Sequence, residues 1–499
     1  MKRFLNLPVV LLVFLVFSCS SSHSSNDSDI IPDSDIDSDD TETVDDDSDT
    51  QDFEIVDDSD ETPDADDSDS DETPSCEEED EEEFDDEDVI TSYTRCYDEI
   101  PDEPYEGFFA DKKIESQIKK NLGYDSDHEL TEEDLEKITE ITVDLSKDIR
   151  GIEKLVNLEY VVILTGKIYD YTPLSQLKKL KKIAIQAESM TCLDGSFSLL
   201  TNLETLEIVE TKLTDVSPIE QLKNLVDLRV ADSCVEFLPK NIGNLQKLEV
   251  LSFSHNNLKN IYEIKSLTNL KKLFFHYNYV EDISPIKCLL NLTRFGAQGN
   301  QIKDISPVTN LVNLTYLGLN ENQIKDIPKE ITKLKKLQTL ELKFNNISRL
   351  PNLKGLDSLD EMWLADNNLD DENLIKLNEL QSIKFLHIGL NNITKVPVMK
   401  NLKSLNELYL NYNSITDLSG FADNESFPAL RRLDLGSNKI ENVEAFRNRK
   451  GLSTLWVDKN CIKDFSPLEE LKAQGTHIGG MNEQLESCED TTTIFKDGE

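Results

Sequence analysis

The chain has 499 residues, in which 99 Asp and Glu face 51 Lys and Arg for a net charge of −48. Thirty-five of the acids fall between residues 20 and 90, a stretch without Lys or Arg, and the residues beyond it hold 64 acids against 49 bases. This balance argues against nucleic acid as a partner, because affinity for phosphate backbones comes from clustered cations that release counterions.

The chain opens with MKRFLNLPVVLLVFLVFSCSSS, two bases ahead of an apolar run from Phe4 to Phe17 that is shorter than the roughly 20 residues needed to span a bilayer. Residues 1–18 therefore read as a secretory signal. Val16-Phe17-Ser18-Cys19 resembles the lipobox of bacterial lipoproteins, which implies lipid on Cys19 as the mature N-terminus. Ser20 carries no retention-type Asp, which in such lipoproteins implies the outer membrane or cell surface.

From 19 to 91 the chain repeats Asp-Ser-Asp and then becomes nearly pure acid, a composition that buries too little apolar surface to offset ordering entropy. It reads as a disordered acidic tether. Asp33-x-Asp35-x-Asp37 copies the start of a calcium loop, but Ser38 stands where the turn needs Gly, so weak ion association is the better reading. Residues 92–108 form a connecting segment at the end of the tether.

Residues 109–142 read as a helical N-terminal cap. Ile114, Ile118 and Leu122 share one helical face, Thr131 and Asp134 have capping-box spacing, and Leu130 with Leu135 has the spacing of a hydrophobic staple. From 143 to 468 the period changes. Leu-x-Leu-x-x-Asn recurs every 22 to 25 residues, its asparagines being Asn256, Asn278, Asn300, Asn322, Asn345, Asn367, Asn391, Asn413, Asn438 and Asn460. Upstream the frame persists with Ser233, Thr211, Glu188 and Gly166 in place of Asn. Alternating leucines make a short parallel strand with one face inward, and the Asn amide can satisfy backbone groups at the corner after the strand. In TDVSPIEQL, EDISPIKCL, KDISPVTNL and KDFSPLEEL, Ser is the expected N-cap and Pro the first residue of a helical turn.

These motifs resemble the leucine-rich repeat, in its internalin-type bacterial form, over about residues 109 to 475. The resemblance implies an α/β solenoid: a curved domain of about fifteen repeats with a parallel concave sheet. Residues 469–499 leave the frame and read as a C-terminal cap and tail.

Seven cysteines remain after Cys19, an odd number. Cys461 with Cys488 and Cys76 with Cys96 are disulfide candidates, while Cys192, Cys234 and Cys288 read as small, partly buried residues inside repeats. No motif of nucleophilic, phosphate-binding or metal chemistry is present; His255 and His276 fall in adjacent repeats but lack a third ligand. No catalytic residues, no metal and no cofactor are expected.

The residue between the two leucines of each strand faces the concave side. That column runs through Glu207, Arg229, Phe274, Trp363, His387, Tyr409 and Trp456, and so contains both tryptophans; neighbouring columns add His276, Tyr277, Tyr316, Phe344, Phe385 and Tyr412. Exposed aromatics on this scale mark interfaces. Internalin-type domains typically hold protein partners on the concave face, often on host cells, so the resemblance implies a lipid-anchored adhesion or recognition module. A self-associating envelope scaffold and a glycan or small-ligand receptor are the alternatives.

Overall fold

The computed structural model describes residues 104–488 apart from 145, 165–167, 169 and 189, all of them within one compact unit. Cys19, Cys76 and Cys96, like the signal segment and the acidic tether, lie outside the described residues.

Sixteen strands, β1 (Glu140–Asp144) to β16 (His477–Gly479), form one open sheet in which every strand pairs parallel with the next and spatial order follows sequence order. Registry is set by the leucines. Leu317, Leu340, Met362, Leu386 and Leu408 stand side by side across five consecutive strands, all of them buried. Each strand buries the same alternate positions, so the coils share one continuous apolar core, and the chain is a curved α/β solenoid with the sheet on its concave side. The return path of each coil is a 3₁₀ turn or short helix, such as Ser284–Cys288 and Ser306–Asn310. The sixteenth strand falls in the segment assigned by sequence to the cap, where a helix at Ser466–Ala473 precedes it. His477-Ile478-Gly479 has no leucine pair, which is why periodicity stops one coil short.

From Asn256 to Asn460 the corner after each strand is built the same way. Asn322 Nδ2 donates to the carbonyls of Ala297 (2.9 Å), Leu319 (3.2 Å) and Asn320 (3.0 Å), and its Oδ1 accepts the Ile302 N–H at 3.0 Å. Asn256, Asn345 and Asn438 repeat the pattern, and in the N-terminal coils hydroxyls replace it, with Thr211 and Ser233 bonded to one another at 2.6 Å. Beyond Asn460 the ladder ends on Gln484, whose Oε1 accepts the Ile462 N–H and whose Nε2 donates to Val457 and Gly480 carbonyls. The residue before each ladder position is left-handed in twelve successive coils, from Glu210 to Lys459, and Gly299 is the one glycine among them. A left-handed L-residue costs about 1 kcal/mol, and the Asn bonds at the next position offset it.

Two local details differ from the sequence reading. Ser217, Ser284, Ser306 and Ser466 are not the N-caps of their turns: each donates its N–H to an aspartate two residues earlier, Asp215, Asp282, Asp304 and Asp464, at 2.7 to 2.9 Å. A carboxylate accepts both the serine N–H and its Oγ–H, and so outcompetes the hydroxyl as a cap. Cys192, Cys234 and Cys288 are disulfide-bonded, not buried thiols. Cys234 is buried and Cys192 and Cys288 are half-buried, so the partly buried setting expected from sequence holds while the thiol state does not.

At the N-terminal end, α1 (Lys112–Leu122) buries Ile114 and Ile118 against the first coil, and Thr131 with Asp134 makes the reciprocal capping pair of the short helix α2 (Glu132–Leu135). At the other end Cys461 is joined to Cys488, with Cα atoms 5.8 Å apart.

Candidate binding surface

The concave columns bring the aromatics into three separate groups. The largest stands on strands Glu361–Trp363, Phe385–His387 and Glu407–Tyr409, where Trp363, His387 and Tyr409 are registry partners and Phe385 is the partner of Glu407. Ring centroids lie 4.3 Å apart for Trp363 and Phe385, 5.3 Å for Phe385 and Tyr409, 5.7 Å for Trp363 and His387, and 5.4 Å for His387 and Tyr409. Lys343 extends this group, its ammonium 4.8 Å from the Trp363 ring centre. At the other end Tyr409 Oη donates to Glu407 Oε2 at 3.1 Å, and Arg432 holds the opposite carboxylate oxygen.

Burial among these rings holds the His387 imidazole down to about 4, with Lys343 as the second cause, so the ring is neutral at pH 7. Its Nδ1 and the Asn411 side-chain oxygen are both enclosed and make no hydrogen bond. Burial also raises the Tyr409 phenol, helped by the Glu407 charge.

The second group centres on Phe274, stacked on His276 at 5.6 Å. These rings lie flat because the next strand offers Gly296: a Cβ there would fall 2.4 Å from His276 Cε1. Gly318 does the same for Tyr316, whose hydroxyl would meet a Cβ at 2.5 Å and whose ring carries Arg294 at 4.8 Å. His276 Nδ1 accepts the Gln298 N–H at 3.2 Å, and burial lowers its pKa to about 4. The third group is Trp456 alone, which lies over Gly479 and is separated from Tyr409 by the Asp434 carboxylate in the same column. Asp434 is pushed up to about 6, first by burial and then by Asp458.

Tyr277, Phe344 and Tyr412 are not on the strand face. They occupy the left-handed corner position, at φ 50°, 54° and 54°, and so border the concave sheet instead of standing on it. His255 shares that column and packs on Tyr277 with centroids 4.5 Å apart, so it too is a corner residue and not a strand residue. Sequence spacing could not place this column, because alternation fails at the first residue that leaves extended backbone.

Family models for leucine-rich repeats match the chain, one described as a leucine-rich repeat region over residues 288–478 and one as two leucine-rich repeat copies over 246–288. These residues carry leucine-rich repeats. A search of curated proteins finds no match to the sequence. Among solved structures the repeat protein is similar to an internalin, InlF, of Listeria monocytogenes, at 26% identity over 74% of this chain and 95% of that one, with a TM-score of 0.53. A Leptospira interrogans leucine-rich repeat protein is 25% identical over 70% of this chain and 97% of that one, at a TM-score of 0.60. The functional domain of Listeria InlJ, 22% identical over 74% of this chain and 78% of that one at a TM-score of 0.60, shares the fold.

Sequence reasoning missed Lys343, Asn411, Glu407 and the two glycines that seat the rings. The signal for the glycines is legible in retrospect: Gly296 and Gly318 interrupt a column otherwise filled by large or polar side chains, next to Phe274. Glu207 and Arg229 lie in the polar part of the same column, Arg229 being engaged by Asp227 at 2.9 Å. Among the described residues no group of three metal-ligating side chains comes together, and no helix is long and apolar enough to cross a membrane.

Proposed function

We propose that this repeat protein is a recognition or adhesion module that is anchored through lipid on Cys19 and grips a protein partner with its concave face. The observation that carries the reading is the cluster of Trp363, Phe385, His387 and Tyr409, with Lys343 at one end and Glu407 at the other. Rings that touch one another on rigid strands are preorganised and lose little entropy on binding, and aromatics beside a charged rim are the usual anatomy of an interface centre. The similarity to internalins supports a protein partner, since that family typically binds proteins by this face. Phe274 with His276, Tyr316 and Trp456 would provide flanking contacts, with Tyr277, Phe344 and Tyr412 along the border. A self-association scaffold and a glycan or small-ligand receptor are the competing readings.

The test joins affinity to stability. Candidate host and self surface proteins are titrated against the purified protein, with light scattering to detect self-association. For the partner found, Trp363→Ala and Tyr409→Ala should each weaken binding by about 2 kcal/mol or more while the unfolding midpoint stays nearly unchanged. Loss of stability together with affinity would make the rings structural, and unchanged affinity would move the interface elsewhere. For the anchor, Cys19→Ala should abolish acyl labelling and release the protein from membranes; membrane retention by this variant would refute lipidation.

A further inference from the structure

We propose that the edge of the solenoid opposite the asparagine corner carries a second binding site, for an anionic glycan. Where the convex-side turns lead into the strands, a groove of about 810 Å³ crosses the coils between Val226 and Lys336. Lys247, Lys271 and Lys336 line it, and Glu249 is the one acid among the described lining residues. Lys271 neutralises Glu249 at 2.8 Å. Lys247 and Lys336 instead reach amide oxygens, Asn224 Oδ1 at 2.7 Å and Asn313 Oδ1 at 2.9 Å, so two ammonium groups face the groove without a carboxylate. That local excess stands out on a chain of net charge −48.

The floor is a row of fixed amides. Asn269, Asn291 and Asn313 each donate one N–H to a carbonyl of the preceding coil, Gln246, Thr268 and Leu290, at 2.8 to 2.9 Å. This holds them one per coil, about 4.8 Å apart, with a second N–H on each amide still available. Thr293 and Thr315 spend their hydroxyl protons on backbone carbonyls and keep oxygen lone pairs toward the groove. Such a surface asks for two things at once: negative charge opposite Lys247 and Lys336, and groups that both donate and accept along the amides and threonines. A carboxylate chain only accepts. A sugar hydroxyl does both, so a polymer with sparse carboxylates among hydroxyls fits where a run of acidic side chains leaves the Asn269, Asn291 and Thr oxygens without donors. Sparse charge also suits a strongly negative protein, which repels a dense polyanion.

The experiment is calorimetric titration of the full chain at low ionic strength with hyaluronan, which carries one carboxylate per disaccharide, alongside neutral dextran and polyglutamate. Hyaluronan should bind, dextran and polyglutamate at least tenfold more weakly. Lys247→Gln combined with Lys336→Gln should weaken hyaluronan at least tenfold with an unchanged unfolding midpoint, whereas Trp363→Ala should leave it unaffected. Absence of hyaluronan binding, equal binding of polyglutamate, an unchanged affinity in the double lysine variant, or loss of binding in Trp363→Ala would each overturn the proposal.

Discussion

Replacing Asn322 with Ala removes one rung of the corner ladder, and the neighbours of that rung set the cost. Leu319 O keeps the Asn345 amide at 2.9 Å, and Asn320 O keeps the Gly299 N–H at 3.0 Å. Ala297 O keeps the Asn300 amide at 3.1 Å, so the Ile302 N–H is the group that has Asn322 as its partner, and Ile302 is buried. One orphaned backbone donor predicts a loss of about 1 to 3 kcal/mol, toward the lower end where room left by the shorter side chain admits some solvation. Asn322→Asp is the sharper variant. It retains the acceptor for Ile302 but sets a carboxylate against three carbonyls, so at pH 7 it should be less stable than the Ala variant. The same environment raises that carboxyl's pKa, so its contribution is present below the ordinary carboxylate range and lost as pH rises; the gap to Ala should close toward pH 4. Urea unfolding followed by circular dichroism gives the energies, and amide exchange at Ile302 reports the rung itself. An Ala variant within about 0.5 kcal/mol of wild type with Ile302 still protected would refute the reasoning.

Other positions carry three more expected outcomes. Asp434 is held near 6 by burial against an ordinary 3.8, so its contribution is present below the lower value and lost as pH rises through the upper; Asp434→Asn should raise the melting temperature at pH 7, with the gain gone by about pH 4, and equal melting at both pH values would refute it. Lys459 is exposed and left-handed at φ 48°, so Lys459→Gly should stabilise by about 1 kcal/mol in chemical denaturation, despite glycine's entropy. Cys488→Ser opens a loop of sequence separation 27 and should destabilise the C-terminal coil by about 3 kcal/mol, seen as earlier amide exchange at His477–Gly479; unchanged exchange there would show that the helix and Gln484 hold the coil by themselves.

The coil period, the buried columns and the Asn corners were legible because each is a short-range pattern repeated many times, and repetition averages out local exceptions. Leu317 or Leu386 needed no knowledge beyond its spacing. Features that repeat less often were harder to see. Asp215, Asp282, Asp304 and Asp464 cap their turns from two residues upstream, yet serine has the stronger cap reputation in such a motif. Gln484 replaces Asn outside the frame, and a longer amide reaching from another turn has no spacing signature. Arg449, nearly fully buried, donates to the carbonyls of Ser426 and Phe427, where the coil is longer than its neighbours; no sequence rule puts an arginine inside. On the concave side the columns were readable, but which rings touch depends on glycines beside them and on the corner where alternation ends.

Gln484 also determines how the array can change in length. Every internal coil presents the same amide to the coil before it and the same backbone N–H to the coil after it, so a coil duplicated between Asn278 and Asn438 would find compatible joints on both sides. The last joint is different: Ile462 is served from beyond the final turn, by a glutamine in a segment pinned through Cys488. Growth and shrinkage of the concave face are thus confined to the interior of the array, and its terminal joint acts as a stop that travels with the tail.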